Sequence, residues 1–378
     1  MRRRALIVVN GLNEPSGVVR AQQYAPLFER SAEWNASFIG RRSPRWVELT
    51  NRTRRPTVPL MMPLIHRPVA AYSARWERAR EDDIVRQAER ADLVYLVKVP
   101  QLSLYKRLCD LEKPRVVADF NDGLWLPAFK AAGWQDLDGI LSTVHAVICE
   151  NPHVADYARR RNANVHVVPD SPQLDRFDQR RSAVTRDPSK TVLGWIGSPE
   201  NVGSLFRIWE PLEALMRRVS NVELRVLGAD RPHLPRFESV RWSCLPRFDQ
   251  ATMVSETLAF DVGLFPMFHT GDGLARGNLK AMVYMSAGAA ALCEDYGENR
   301  ALIIDGDNGL LASTPEQWLE KMERLCTDRS MRERIAARGL ETIRRHFAAD
   351  VVFRQLQEAF TAIVDPGSRA ASPIAAAR

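Results

Sequence analysis

The chain has 378 residues, of which 45% are hydrophobic and 26% are charged, and its formal net charge is +7. This length is enough for two domains, and no apolar run approaches the roughly 20 residues that span a bilayer. Five widely spaced cysteines without a Cys-x-x-Cys pair argue against a zinc site and for reduced thiols in a cytoplasm. The positive charge permits an anionic membrane surface or a phosphate-bearing substrate as partner. Because no nucleic-acid-binding motif accompanies it, we predict no nucleic-acid partner.

The first half of the sequence alternates apolar runs with helical segments. Residues 5–9 form a continuous apolar run, as in a parallel strand buried on both faces. The glycine-rich loop 11–17 then precedes a helix predicted over about 18–30. This loop either forms an ordinary turn or presents backbone N–H groups to a ligand. Further strands are predicted at 92–97, 116–119, 146–149 and 165–168, and a charged helix at 72–91.

The segment 40–63 is irregular and basic, and it contains Trp46 among its arginines. It is interpreted either as a solvated loop or as a surface that contacts the phosphates of an anionic membrane. The arginines are Arg41, Arg42, Arg45, Arg52, Arg54 and Arg55.

Charged residues follow two predicted strands at the end where open α/β sheets bind ligands. Lys98 follows the strand at 92–97, and Asp119 and Asp122 lie at the end of the strand that begins at residue 116. Two carboxylates three residues apart could act as acid and base, bind a metal or only order a loop. These alternatives stay open.

The polar run 176–190 lacks periodicity and is predicted to be a linker. A second strand–glycine loop–helix series begins at residue 191. The sequence therefore predicts two doubly wound parallel-sheet domains, 1–175 and 191–350, facing a central cleft. A helix at 351–364 is predicted to pack back on the N-terminal domain, and the tail 365–378 to be disordered. In the second domain we predict strands at 223–227, 260–265, 289–293 and 301–304, and helices at 205–219, 318–327 and 331–347.

Residues 260–293 predict a strand, a glycine-rich loop, a short helix and another strand. Arg276 and Lys280 are predicted to share the first turn of this helix, where the helix dipole disfavours cations. A pair of cations there is expected if an anion binds at the helix N-terminus. The alternative is two solvated surface charges.

Four segments of the second half resemble the nucleotide-sugar domain of GT-B glycosyltransferases, in particular glycosyltransferase family 4. Their order and spacing cover about residues 191–347. In the first half, 119–125 is similar to an acidic segment of some members, and 165–177 to the usual passage into the second domain. The four segments are 194–198, 261–266, 277–288 and 297–309.

The sequence departs from the family at its common Glu-x7-Glu pair, whose second glutamate contacts the donor ribose in relatives. Ala275 and Val283 stand at the two positions. A subgroup of the family has lysine and arginine at the places of Lys280 and Arg300. Relatives also carry a basic pair after the first strand of the second domain. Here the loop 198–203 has no base, so the resemblance assigns the diphosphate to Arg276 and Lys280.

The resemblance implies transfer of a sugar from a nucleotide-diphosphate donor to a glycan or lipid-linked acceptor. It further implies retention of configuration, no metal and no cofactor. Fixed cations and a helix N-terminus would stabilise the leaving diphosphate. The predicted catalytic residues are Lys280, Arg276, Asp122 and Asp119. The predicted donor-binding residues are Gly17, Arg20, Gly197, Ser198, Gly273, Gly277, Asn278, Leu279, Asn299 and Arg300.

Several alternatives remain at this point. Arg300 either holds the donor or forms a surface pair with Glu298 or Asp295. A nucleotide-sugar epimerase of the same fold needs carboxylates around the sugar, and no compelling set is present. Loss of both glutamates also fits a non-catalytic nucleotide-sugar-binding subunit. We expect a cytoplasmic protein, peripheral on the inner membrane face, that takes part in cell-surface polysaccharide biosynthesis.

Overall fold

The computed structural model describes residues 2–12, 14–42, 62–131, 133–229 and 240–367, without the side chains of 62–71, 73, 74 and 272. The chain divides into two compact units. The first comprises Met1–Pro169 and Val352–Pro373, and the second comprises Asp170–Val351. Each unit contains one parallel sheet of six strands with helices in the connections. The predicted class, an α/β chain with two Rossmann-like doubly wound units, is confirmed.

The sheet of the first unit has the strand order β2-β1-β3-β4-β5-β6, which reverses direction between β1 and β3. Its strands are β1 (Arg3–Val9), β2 (Trp34–Gly40), β3 (Leu93–Val97), β4 (Arg115–Phe120), β5 (Ala146–Cys149) and β6 (Val165–Val167). Its helices before the second unit are α1 (Pro15–Arg20), α2 (Ala25–Arg30), α3 (Met62–Ala88), α4 (Leu102–Cys109), α5 (Pro127–Ala131), α6 (Leu137–Thr143) and α7 (Pro152–Arg159).

The sheet of the second unit has the strand order β12-β11-β10-β7-β8-β9, which reverses between β7 and β10. Its strands are β7 (Thr191–Ile196), β8 (Val222–Leu227), β9 (Trp242–Leu245), β10 (Val262–Phe265), β11 (Ala290–Glu294) and β12 (Leu310–Ala312). Its helices are α8 (Leu174–Asp178), α9 (Gly203–Phe206), α10 (Trp209–Arg218), α11 (Gln250–Leu258), α12 (Gly271–Ala275), α13 (Leu279–Ser286), α14 (Asn299–Leu302), α15 (Pro315–Thr327) and α16 (Arg329–His346).

The central strands form because their apolar runs are covered on both faces. Every residue of β3 is at most 2% exposed, and so is every residue from Ala5 to Val9 in β1. Parallel sheets bury both faces under crossover helices, which explains why these strands are apolar without alternation. The reversal of strand order opens a crevice at the carboxyl ends of the two central strands, where ligands of doubly wound sheets bind.

The last helix, α17 (Ala349–Val364), packs into the core of the first unit over nearly all its length. The ring of Phe360 lies 5.4 Å from Trp34 and 5.1 Å from Tyr95, and Phe353 lies 4.7 Å from Phe28. The chain thus returns to its first unit after completing the second.

The run 176–190, predicted as a linker, is part of the second unit. Phe177 is fully buried with Val254, Leu258 and Ala287. The Arg186 guanidinium donates hydrogen bonds to the carbonyls of Leu258, Ala287 and Gly288. Single anchoring residues of this kind leave no periodic pattern in a sequence.

Other elements differ from the prediction. The helix expected over 18–30 is split into α1 and α2 by a 3₁₀ turn at Gln22–Tyr24. The strand expected at 301–304 is largely the helix α14 with the turn that follows it. The strands β2, β9 and β12 were not predicted.

The basic segment 40–63 lies mostly outside the described residues. Of its two described arginines, Arg41 is 3% exposed and lies 3.0 Å from Glu77, so it is not a solvated charge. The Arg42 side chain is 38% exposed and lies 3.1 Å from Glu14. Among the described helices, none has the length and apolar character needed to cross a membrane.

Candidate functional site

The crevice of the second unit opens between β7 and β10, which pair over only two positions, Leu193 with Val262 and Gly194 with Gly263. Beyond this point the buried hydroxyl of Tyr284 on α13 lies between the strands. It accepts the Ile196 N–H at 3.0 Å and donates to the Leu264 carbonyl at 3.2 Å. The helix α13 is therefore fixed to both strands at the point where they part.

Lys280, in the first turn of α13, lies at this crevice. Its ammonium is 5.3 Å from the ring centre of Trp195 at the end of β7 and 5.5 Å from that of Phe265 at the end of β10. Aromatic faces attract a cation and shield it partly from water. Because a partly desolvated ammonium interacts more strongly with an anion, Lys280 is well placed to bind one.

We predicted that Arg276 and Lys280 share one helical turn, and this prediction is wrong. Arg276 lies in extended conformation directly after α12, and Gly277 and Asn278 separate it from Leu279, where α13 begins. Its guanidinium donates a hydrogen bond to Asn201 Oδ1 at 2.7 Å.

The glycine-rich loop after β7 is linked to Arg276 through Asn201. Asn201 Nδ2 donates to Ser198 Oγ at 2.9 Å, so Ser198, Asn201 and Arg276 form one chain of contacts. The Gly197 N–H donates to the Leu227 carbonyl at 3.0 Å, so the backbone N–H of Gly197 itself already has a partner. A Cβ at Gly197 would lie 2.1 Å from the Trp195 ring, which explains the glycine.

The loop after β11 lies against the turn between α12 and α13. Asn278 Nδ2 donates to the Glu298 carbonyl at 3.1 Å, and Gly273 is packed so closely that a Cβ there would lie 2.4 Å from the Phe268 carbonyl. Burial raises the pKa of the Glu298 carboxyl to about 7. A carboxyl that titrates near neutrality at a crevice is a common feature of functional sites.

Two residues of this loop have structural partners instead of the predicted donor contacts. Asn299 is 1% exposed and donates to the Glu294 carbonyl at 3.0 Å. Arg300 is 61% exposed and pairs with Asp295 at 2.7 Å, which is one of the alternatives left open by the sequence.

The prediction missed a cluster of charged residues around Glu294, the last residue of β11. The Glu294 side chain is fully buried, and it lies 2.8 Å from His269 Nε2 and 3.3 Å from an Arg207 nitrogen. The pKa of its carboxyl is raised, because the effect of burial exceeds the opposing effects of the Met267 N–H, Arg207 and His269. A glutamate ending one strand and a histidine after another were visible in the sequence. Their proximity follows only from β10 and β11 being neighbours.

In the first unit, two predicted site residues form a buried ion pair. Arg20 Nη2 lies 2.6 Å from Asp119 Oδ2, and the two side chains are 2% and 0% exposed. Tyr95 donates to the same carboxylate at 2.5 Å, and Arg20 also donates to the Val168 carbonyl at 2.7 Å. This burial disagrees with the predicted roles of Arg20 on the donor and of Asp119 in catalysis.

Gly17 also has a packing role that differs from donor binding. It lies in α1, and a Cβ at this position would be 2.7 Å from the Gly11 carbonyl. Only glycine lets the helix approach the loop this closely.

Asp122 lies at the carboxyl edge of the first sheet and is 34% exposed. It pairs with Lys98 at 2.5 Å, and its N–H donates to Glu150 at 2.8 Å. Lys98 and Asp122 both adopt left-handed backbone conformations, with φ of 49° and 66°. Such conformations are uncommon for residues other than glycine and cluster at ligand sites. Among the described residues, three side-chain amide atoms at this edge have no hydrogen-bond partner: Gln101 Oε1, Asn121 Oδ1 and Asn151 Nδ2.

Comparison with known structures identifies the fold. Sucrose-phosphate synthase from Thermosynechococcus elongatus matches with a TM-score of 0.64 at 13% identity, covering 97% of this chain and 100% of that one. Alr3699/HepE of Anabaena, solved with UDP-glucose, matches with a TM-score of 0.63 at 13% identity over 95% and 99%. A UDP-forming α,α-trehalose-phosphate synthase from Burkholderia vietnamiensis gives 0.61 at 12% identity over 98% and 99%. The chain has the GT-B fold.

A family model described as glycosyl transferase-like matches residues 207–358 of this GT-B chain. The sequence has no significant match among curated proteins. The recognised resemblance is thus confirmed for the fold and for a glycosyl transferase-like region in the second half. In the described ranges, no group of three or more histidine, cysteine, aspartate or glutamate side chains is arranged to hold a metal ion.

Proposed function

We propose that this protein is a glycosyltransferase that moves a sugar from a nucleotide-diphosphate donor to a glycan or lipid-linked acceptor. The observation that carries the proposal is the position of Lys280 over the rings of Trp195 and Phe265, at the crevice of a GT-B second unit. The glycosyl transferase-like match over 207–358 includes this crevice except for β7 and its loop. Because HepE was solved with UDP-glucose, uridine diphosphate sugars are the first donors to test.

In this proposal Lys280 and Arg276 bind the diphosphate and stabilise its charge as the bond to the sugar breaks. Fixed charges in a partly desolvated crevice stabilise a developing anion without reorganising. The reaction therefore requires no metal, and we propose that it retains the configuration of the sugar. The wall of the same crevice is formed by the turn between α12 and α13, with Gly273, Gly277, Asn278 and Leu279. Ser198 acts through Asn201, which orients Arg276.

The acceptor is proposed to bind the first unit at the edge formed by Lys98, Asp122 and Glu150. Hydroxyl groups of a sugar suit this edge because carboxylates accept, and a lysine donates, hydrogen bonds.

The variant Lys280→Ala tests the donor site. We expect transfer to fall by about 10²–10³-fold or more, because a charge that stabilises the leaving group is lost. The melting temperature should stay near that of the wild type. The matched control is Lys190→Ala, an exposed lysine just before β7 whose ammonium lies 4.0 Å from Glu223. Near-normal transfer by Lys280→Ala would refute the diphosphate assignment.

A non-catalytic nucleotide-sugar-binding subunit is the second candidate, favoured by Ala275 and Val283 at the two usual glutamate positions. The wild type distinguishes the two. Binding of a nucleotide sugar without transfer or hydrolysis, across a panel of donors and acceptors, would favour the binding subunit.

We further propose that the protein works at the cytoplasmic face of an anionic membrane in cell-surface polysaccharide synthesis. The net charge of +7 supports this. Co-sedimentation with vesicles containing anionic lipid at low salt tests the membrane contact. Failure to bind them, with neutral vesicles as the reference, would rule it out.

A further inference from the structure

His269 belongs to the segment after β10 and is held by two side chains. Its Nε2 lies 2.8 Å from Glu294 Oε1, and its ring stacks on Tyr296 with centres 4.5 Å apart and an angle of 14° between planes. The distance to the carboxylate fixes one ring nitrogen, and the stacking fixes the plane of the ring. The imidazole is therefore held in one orientation although its side chain is 42% exposed.

Glu294 is itself fixed by groups other than His269. Its second carboxylate oxygen accepts the Met267 N–H at 3.2 Å, and Arg207 lies 3.3 Å from the first. Buried carboxylates need such partners because an unpaired charge is strongly destabilising in the interior. Glu294 is thus a rigid support for the histidine.

The other ring nitrogen, Nδ1, has no hydrogen-bond partner within the described part of the chain. The hydrogen bond between Nε2 and Glu294 contains one proton, which either atom can hold. A proton on Nδ1 makes that nitrogen a hydrogen-bond donor. An Nδ1–H in this position can donate a hydrogen bond to an anion.

The position of His269 points to the same anion that Lys280 and Arg276 bind. The next residue, Thr270, accepts the Gly273 N–H and so caps α12, which ends directly before Arg276. Phe265 is the last residue of β10 and precedes His269 by four residues. Its ring faces the Lys280 ammonium. His269, Arg276 and Lys280 thus all belong to the short stretch between β10 and the first turn of α13.

We propose that His269 is a catalytic residue whose Nδ1–H donates a hydrogen bond to the departing diphosphate, with Glu294 as the positioning residue that holds Nε2. This inference rests on the proposed sugar-transfer function. The bond from the anomeric carbon to the diphosphate oxygen breaks, and its electron pair stays on the diphosphate. The acceptor oxygen forms the new bond and releases one proton to the diphosphate or to water. His269 keeps its own proton throughout.

The variant His269→Gln provides the test, because its amide nitrogen can replace Nε2 beside Glu294 but nothing replaces Nδ1. Calorimetric titrations compare UDP with UMP, and the diphosphates and monophosphates of adenosine, guanosine and thymidine. We expect the dissociation constant for the bound diphosphate to rise about 10- to 100-fold, as for loss of a charge-assisted hydrogen bond. The monophosphate should bind as in the wild type. His346→Gln, at the end of α16, is the matched control.

The outcomes separate the two proposals. A wild type that binds none of the diphosphates overturns the proposed function and this inference with it. If the wild type binds the diphosphate more tightly than the monophosphate and His269→Gln shows the same difference in affinity, only the inference about His269 is overturned. Should His269→Gln fail to fold, His269→Phe keeps the stacking on Tyr296 and should show the same selective loss.

The role of Glu294 is tested by combining variants. If Glu294 acts through His269, adding Glu294→Gln to His269→Gln should not lower the diphosphate preference further. Glu294→Gln alone should lower it. Additive losses would show that Glu294 acts independently and would overturn its positioning role.

Discussion

Arg20 and Asp119 form a buried ion pair that holds the centre of the first sheet. The pair has two contacts, Nε to Oδ1 at 3.1 Å and Nη2 to Oδ2 at 2.6 Å. Burying two charges is unfavourable unless both are fully partnered, so loss of one partner costs more than loss of the pair.

The variant Arg20→Met should therefore lower the free energy of unfolding by about 3–5 kcal/mol, because the Asp119 charge is left without its cation. The double variant Arg20→Met/Asp119→Asn should recover part of this loss, since no unpaired charge remains and Tyr95 keeps an acceptor. Urea denaturation measures both. A double variant less stable than Arg20→Met would contradict the buried ion pair as the cause.

The carboxyl of Glu298 gives the fold a pH dependence. Its pKa is raised by burial from 4.5 to about 7, so the folded state holds a proton that the unfolded chain has lost between these values. The stability that this proton contributes is fully present below about pH 4.5 and is lost as the pH rises through about 7.

The variant Glu298→Gln removes this titration. Its free energy of unfolding should equal that of the wild type near pH 4.5 and exceed it above pH 7 by up to about 3 kcal/mol. Chemical denaturation across this pH range provides the measurement. Glu320→Gln, at an exposed position of α15, is the control. A difference that does not change with pH would count against the raised pKa.

The loops after β7 and β8 approach each other at two glycines. Gly228, with φ of 92°, is placed so that a Cβ would lie 1.8 Å from the Gly197 carbonyl. This carbonyl belongs to the loop that leads to Ser198 and Asn201, so a side chain at Gly228 would displace the wall of the proposed donor site.

The variant Gly228→Ala should lower both stability and nucleotide affinity. Gly306→Ala is the matched control, because its φ is 84° but no atom lies within 4 Å of a Cβ there. The control should lose only about 1 kcal/mol from backbone strain and keep its nucleotide affinity. Calorimetry of both variants with the diphosphate measures the difference. Equal affinities would show that the loop contact does not shape the site.

The elements that could be predicted from the sequence are the strands buried on both faces. β1, β3, β7 and β10 appear as continuous apolar runs because the interior of a parallel sheet demands them. β9 was missed because it is an edge strand. All four of its residues are only half-buried, so they do not form a continuous apolar run.

The candidate site was only partly predictable. Lys280 and Arg276 stand out as cations near a predicted helix start, which is a local pattern. The contact between His269 and Glu294 depends on which strands are neighbours, and the Arg20–Asp119 pair joins residues 99 positions apart. Side chains brought together by sheet order carry no local signal.

The last described helix, α17, belongs to the first unit. Besides its aromatic contacts, α17 accepts a hydrogen bond from Trp34 Nε1 at Thr361 Oγ1, at 3.2 Å, and donates one from Gln357 to Ser31 at 2.6 Å. The core of the first unit is therefore incomplete without α17.

A chain that ends at Ala348 should lose the folded first unit, because Phe353 and Phe360 leave a large exposed cavity behind. A chain that ends at Gly367 keeps α17 and should unfold like the full chain. Limited proteolysis with mass spectrometry of the fragments distinguishes cleavage in the first unit from cleavage in the second. A first unit that resists cleavage in the shorter chain as it does in the full chain would contradict this dependence.

The hydroxyl of Tyr284 replaces a direct backbone hydrogen bond between β7 and β10. Continuing the register of β7 and β10 would set Ile196 opposite Phe265, and the Ile196 N–H would then bond directly to the Leu264 carbonyl. The hydroxyl relays this bond through one extra atom, so both groups are satisfied while the strands stay apart. A ligand entering here meets a gap that is already open, and none of its binding energy is spent on separating the strands.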